Sequence, residues 1–142
     1  MIPFSIKVPV PAEVVFPAGA LFLGVDPQTD FDLRGKVADD QVRDKETGER
    51  VWIVRACDLE MPDPEAPFRA GSAELKVRVV APYRPVPPAS LVPGYPPVVT
   101  FTDLVLTPWI DQQKCTGSGT RCRARLSFSL RATGMVAFDG GA

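Results

Sequence analysis

Histidine is missing from this chain. Its absence removes the commonest general base, so Ser-His-Asp and Cys-His catalysis and His-bearing zinc sites are excluded, and no enzymatic activity is expected. Cysteine is scarce. There are three, Cys57, Cys115 and Cys122, an odd number for a disulfide framework. Met1–Gly19 holds one lysine, four prolines and no continuous apolar stretch, so no secretory signal is expected and a reducing cytoplasm is the expected setting. No apolar run approaches the roughly 18 residues that span a bilayer, and no membrane partner is expected. Neither sign of charge dominates: 16 basic residues face 17 acidic ones, for a formal charge of −1. That balance argues against a plainly basic nucleic-acid protein, although it does not say where the charges sit.

Proline, by contrast, is abundant. Sixteen in 142 residues is roughly twice average usage, and their spread leaves few windows for a long helix. The length fits one domain able to bury a core without metals or disulfides. With 45% hydrophobic and 23% charged residues, the chain has a globular composition. These features predict an all-β protein with proline-laden loops, an extended arm over residues 1–18 and a single domain over 19–142.

Along the chain, residues 19–25 (GALFLGV) form an apolar run ending at the turn signal Asp26-Pro27, a first strand. Residues 31–43 mix apolar and charged side chains and read as one or two solvated strands. In RDKETGERVWIVRACD, residues 43–58, the segment Asp44–Gly48 predicts a turn with Gly48 in the left-handed conformation, so that 37–43 pairs with 50–57. Both alternating sets of 50–57 contain apolar residues, and periodicity leaves the direction of Trp52 open. Residues 58–72 read as an acidic, proline-rich loop. In 74–80, Leu75, Val77 and Val79 face inward while Glu74, Lys76 and Arg78 face outward.

Seven prolines between Ala81 and Pro97 predict a long extended loop. A strand over 98–106 loses its alternation near Asp103-Leu104, which predicts a bulge. Residues 121–131 alternate most regularly: Cys122, Ala124, Leu126, Phe128 and Leu130 on a core face, and Arg121, Arg123, Arg125 and Arg131 among serines on the other. Five or six such strands suit a small barrel or sandwich.

Charge divides between loops and strands. Acids crowd the loops at 26–49 and 58–65, whereas the outward strand faces are basic: Arg50, Arg55, Lys76, Arg78, Arg121, Arg123, Arg125 and Arg131. Side chains at i, i+2 and i+4 repeat about every 6.6–6.8 Å, comparable with successive phosphates of an extended nucleic-acid strand, and arginine also stacks on bases. A charged outer face that blocks edge pairing has the same pattern. Trp52, Trp109, Tyr83 and Tyr95 are the aromatics available for stacking or for ordinary packing.

The strand pair joined at D-x-x-T-G (Asp44–Gly48) with Trp52 four residues on, the V-x-F-x-x-L strand (Val99, Phe101, Leu104) and the basic strand ending L-R-A-x-G (Leu130–Gly134) together resemble a family. It is the OB-fold single-stranded DNA-binding proteins of phages and of actinobacterial conjugative plasmids or integrative elements, similar in role to the filamentous-phage helix-destabilising protein. The resemblance covers about residues 30–134. It implies a five- to six-stranded OB-like barrel, non-specific binding of single-stranded DNA in replication or transfer of a mobile element, and a homodimer or higher oligomer without cofactors. By this resemblance and the basic stripe, the expected DNA-binding residues are Arg50, Trp52, Arg55, Lys76, Arg78, Tyr83, Trp109, Arg121, Arg123 and Arg125. The competing expectation is an assembly module of a phage or plasmid that uses its proline-rich segments for protein contacts.

Other signals are weaker. Three cysteines fall short of the four ligands of a structural zinc site. The PxxP-like spacings (Pro85 and Pro88; Pro93 and Pro96) suit a stiff loop, and the acids of 58–65 lack the glycine-bearing spacing of an EF-hand.

Overall fold

The structure is a computed structural model that describes residues 6–36, 38–59, 74–111 and 125–139. Alternating apolar residues form β1 (Val8–Pro9), β2 (Ala20–Pro27), β3 (Val51–Asp58), β4 (Glu74–Val80), β5 (Val98–Thr102), β6 (Val105–Asp111), β7 (Arg125–Ala132) and β8 (Gly134–Ala137), with one helical turn, α1 (Ala12–Val15). These strands make a single curled sheet in the order β1-β6-β7-β4-β3-β2-β5-β8. The all-β class therefore holds, but the described residues contain eight strands rather than five or six.

Two bends explain most of the difference. Asp103 takes a positive φ of 51° and splits the run 98–111 into β5 and β6; this is the break in alternation expected there. Opposite it, Thr133 divides β7 from β8. The Thr133 amide bonds to the Thr102 carbonyl at 3.0 Å, and the antiparallel register is the same on both sides of the bends, with Thr102 opposite Gly134 and Val105 opposite Arg131. β5/β6 and β7/β8 are thus one long bent ribbon. At one end β5 pairs with β2, and at the other β7 runs parallel to β4. The circuit therefore contains five long strands, β2, β3, β4, β7/β8 and β6/β5, the last returning to β2. β1, only two residues long, is added at the edge of β6.

The core fills the concave side. Val54 and Ala56 of β3, Val77 and Val79 of β4, Val99 and Phe101 of β5, and Leu130 and Ala132 of β7 are all buried. The N-terminal segment contributes as well. α1 ends by placing Phe16, fully buried, with its ring centroid 5.6 Å from that of Phe101, and the Val10 amide bonds to the Leu104 carbonyl. Removing so large a buried side chain typically costs about 3–5 kcal/mol.

The Asp44–Gly48 turn forms as expected, with Gly48 at φ 75° and its amide on the Asp44 carbonyl at 2.8 Å. The expected pairing of 37–43 with 50–57 does not extend beyond the turn. Only an isolated bridge joins Arg43 to Arg50, and Val51 N–H donates to Val42. Beyond that point β3 pairs with β2 and β4 instead, because both of its faces are apolar and the two flanking strands offer longer apolar partners. Residues 31–36 form turns rather than a solvated strand.

Candidate functional site

Cross-strand neighbours share a face, so the register sorts the expected binding residues. Ile53 lies beside Arg78 and Arg55 beside Lys76, and Arg78 lies beside Arg131 across the parallel pair. These form the convex face. Trp52 pairs with Val79 and belongs with Val54 and Ala56 on the other. It packs against the core cluster, and its indole N–H donates to the Ala81 carbonyl at 3.1 Å. The open direction of Trp52 is thereby settled: its ring is a wall of the core.

β4 and β7 pair only over Val77–Val79 and Leu130–Ala132. Toward the N-terminal ends of these two parallel strands the pairing stops, leaving a groove of about 560 Å³ lined by Ile53, Lys76, Arg78, Trp109, Phe128 and Ser129, among others. Trp109 is 42% exposed and Phe128 52%. Phe128 corrects an expectation: its alternation assigns it to the core, yet where β7 has lost β4 the inward-facing side is open to solvent. Among the described residues, no hydrogen bond or ion pair engages the Lys76 ammonium or the Arg78 guanidinium. Lys76 and Arg78, without a partner among the described residues, therefore line one groove with Ile53, two exposed rings and the Glu74 carboxylate.

Of the other expected cations, Arg50 and Arg55 are occupied. Arg50 clasps Asp39 with both terminal nitrogens, at 2.9 and 2.8 Å, and also reaches Gln41 Oε1 at 2.9 Å. Arg43 joins the same carboxylate, and these guanidinium contacts, Arg50 first, hold the Asp39 carboxyl below its ordinary value. Arg55 lies back along the sheet, its Nε 3.2 Å from Asp26 Oδ2. The bulge at Leu23 makes room for it. Gly24 sits so close beneath the guanidinium that a Cβ there would stand 2.5 Å from Arg55 Nη2.

Arg131 is bound to Asp44, whose side chain is only 6% exposed. The same carboxylate accepts from the Thr47 amide at 3.1 Å and the Thr47 hydroxyl at 3.0 Å, closing the turn. The Arg131 contact, with those from Thr47, lowers the Asp44 pKa from its ordinary 3.8 against the opposing cost of burial.

Tyr83 is exposed on the segment after β4 and is not among the described groove-lining residues. Arg125 opens β7 in register with Asp111. Arg121 and Arg123, together with the expected acidic loop at 60–72, lie outside the described residues. Sequence reasoning missed Ile53, Phe128 and Ser129 as lining residues. Their signal is the short parallel pairing, which no local pattern reveals.

Among the described residues no group of three or more metal-ligating side chains gathers, and no helix is long and apolar enough to cross a membrane. No family model, curated protein or solved structure matches the chain.

Proposed function

We propose that this chain binds single-stranded DNA without sequence preference, through the convex face of β3 and β4 and the adjoining groove. The observation that carries the reading is the groove itself: Lys76 and Arg78, free of acidic partners among the described residues, beside the exposed rings of Trp109 and Phe128. A cation pair two residues apart on a strand matches the spacing of an extended phosphate backbone, and exposed rings stack on any base at roughly 1–3 kcal/mol per base.

The topology supports the same reading. With the bends counted through, the order first, second, third, fifth, fourth and back to the first, with the third and fifth parallel, suits the five-stranded Greek-key barrel of OB type that the family resemblance implies. In such barrels the face of the second and third strands, together with the first–second and fourth–fifth loops, meets oligonucleotides. Here those strands are β3 and β4. Coating of single strands during replication or transfer of a mobile element is the setting that the family resemblance suggests, and no catalytic step is assigned.

The test is a titration with a poly-dT oligonucleotide followed by tryptophan fluorescence at low and moderate salt. Quenching at low salt that weakens steeply as salt rises is expected. No quenching and no co-elution at low salt would refute the proposal.

A second reading, an assembly module, is favoured by one observation. The segment between β4 and β5 exposes Tyr83, Val86, Leu91, Val92 and Tyr95, a run of large side chains that suits a protein contact.

A further inference from the structure

Arg78 lies at the junction of two grooves. The groove beside Trp109 extends from it toward the N-terminal end of β4, past Lys76. In the other direction Val80 has Val51 as its neighbour on β3. There the connection 28–50 folds back over the sheet: Gln28 N–H donates to the Val51 carbonyl at 3.1 Å, and Val51 N–H to the Val42 carbonyl at 3.0 Å. Beneath the tip of that connection a second groove opens, of about 400 Å³, lined by Val51, Arg78, Arg131 and the turn residues Asp44, Lys45 and Glu46, among others. Because Arg78 lines both, the two grooves follow one another along β4.

The second groove is basic but guarded. Five basic and two acidic side chains line it. Lys45 is exposed at the turn, and among the described residues no hydrogen bond or ion pair engages its ammonium. Arg78 is free in the same sense. The other three cations are held: Lys7 by Glu46 at 2.9 Å, Arg43 by Asp39 and Arg131 by Asp44. These holds are unequal. Lys7 is 50% exposed and Glu46 71%, and an ion pair between two exposed, flexible side chains is weak. Asp44 is buried and also closes the turn through Thr47, so Arg131 is surrendered least readily. Glu46 is therefore an internal anion that holds one cation of the groove and can be exchanged for a phosphate.

We infer that a strand long enough to pass Arg78 continues into this second groove, where one phosphate takes Lys45 and another displaces Glu46 from Lys7. A short strand fills the groove beside Trp109 alone. The inference rests on the single-strand reading and adds to it a binding site in two parts, one always open and one whose filling has to overcome a carboxylate of the turn. Strand length, rather than base sequence, then decides how much of the chain's basic surface is used.

The experiment compares oligo-dT of about 4 and about 12 nucleotides, within the roughly 4–16 that one such barrel covers. Each is titrated against the full chain across a salt series and followed by tryptophan fluorescence. Lys45→Ala is expected to lower the magnitude of the salt slope of the longer strand by about 0.7, one single-strand phosphate contact, and to leave that of the shorter strand unchanged. Quenching at saturation should not change for either, because Trp109 lies in the first groove. Glu46→Gln should act with the opposite sign, tightening the longer strand by up to about 5-fold, the range of an exposed ion pair, without effect on the shorter. A Lys45→Ala protein whose slope for the longer strand is unchanged, or falls equally for both lengths, overturns the inference while the single-strand reading stands. If neither length binds at low salt, the single-strand reading fails and takes the inference with it.

Discussion

The hairpin end and the groove of the convex face are built from similar basic side chains and use them in opposite ways. At the hairpin, Arg43, Arg50 and Arg131 are each held by Asp39 or Asp44, so their charge closes turns and joins the 28–50 connection to β7. At the groove, Lys76 and Arg78 have no such partner among the described residues and stand beside two exposed rings. The two regions meet at Arg78, which also lines a second groove shared with Asp44 and Arg131. The difference teaches that a count of outward cations is a poor guide to a binding surface. What matters is which of them a carboxylate has already neutralised, because an engaged guanidinium must give up its partner before it can take a phosphate.

Reversing both free cations should break the groove half of this contrast most severely. For Lys76→Glu/Arg78→Glu, affinity for poly-dT at low salt is expected to fall by on the order of 100-fold. The milder Lys76→Ala/Arg78→Ala should lower the magnitude of the salt slope by roughly 1.4, about 0.7 per lost single-strand phosphate contact. Thermal melting of both should stay close to wild type, since neither side chain is buried.

Asp44→Asn should do the reverse. Loss of a charge-assisted contact around a buried carboxylate is expected to lower stability by about 1–3 kcal/mol, read by urea unfolding, with DNA affinity rising slightly as Arg131 is released beside Arg78. The pH dependence follows from the lowered pKa. Because folding depresses it below 3.8, the unfolded chain binds the proton more readily. The stabilisation from ionised Asp44 is therefore complete well above pH 3.8 and fades as pH falls through the lower, folded-state value. Wild type should lose stability across that acid window, and Asp44→Asn should show a shallower decline.

Gly24→Ala comes next, since a methyl group there collides with the Arg55 guanidinium. It should free Arg55 from Asp26 and raise DNA affinity slightly, a change visible in the same titration. The smallest effect is expected of Arg43→Ala. One exposed member of the Asp39 cluster contributes about 0–1 kcal/mol and should leave binding unaltered.

Much of the fold was legible where local chemistry decides it. The turn at Asp44–Gly48, the alternation of 74–80 and the break at Asp103 each follow from a few neighbouring residues. Strand number was not, because the bend opposite Asp103 falls at Thr133, where the sequence carries no proline and no clear loss of alternation. Pairing of β3 escaped too: with apolar residues on both faces, its partners are set by the whole sheet. The candidate site was legible in part. Lys76, Arg78 and Trp109 lie together in the groove, but nothing local shows that Asp39 claims Arg50 from eleven residues away. Phe128 was misassigned because alternation gives the side of a strand a residue faces, and not whether a neighbouring strand covers it.

The most direct test uses the two tryptophans, which lie one on each side of the account. Trp52→Phe leaves only Trp109, in the groove, and Trp109→Phe leaves only Trp52, against the core. On titration with poly-dT at low salt, the protein retaining Trp109 is expected to show the quenching, while the protein retaining Trp52 stays nearly silent and binds only slightly more weakly, since phenylalanine keeps a ring on which a base can stack. Quenching confined to the protein that retains Trp52, or none in either, would contradict the claim that the groove between β4 and β7 is where the strand binds.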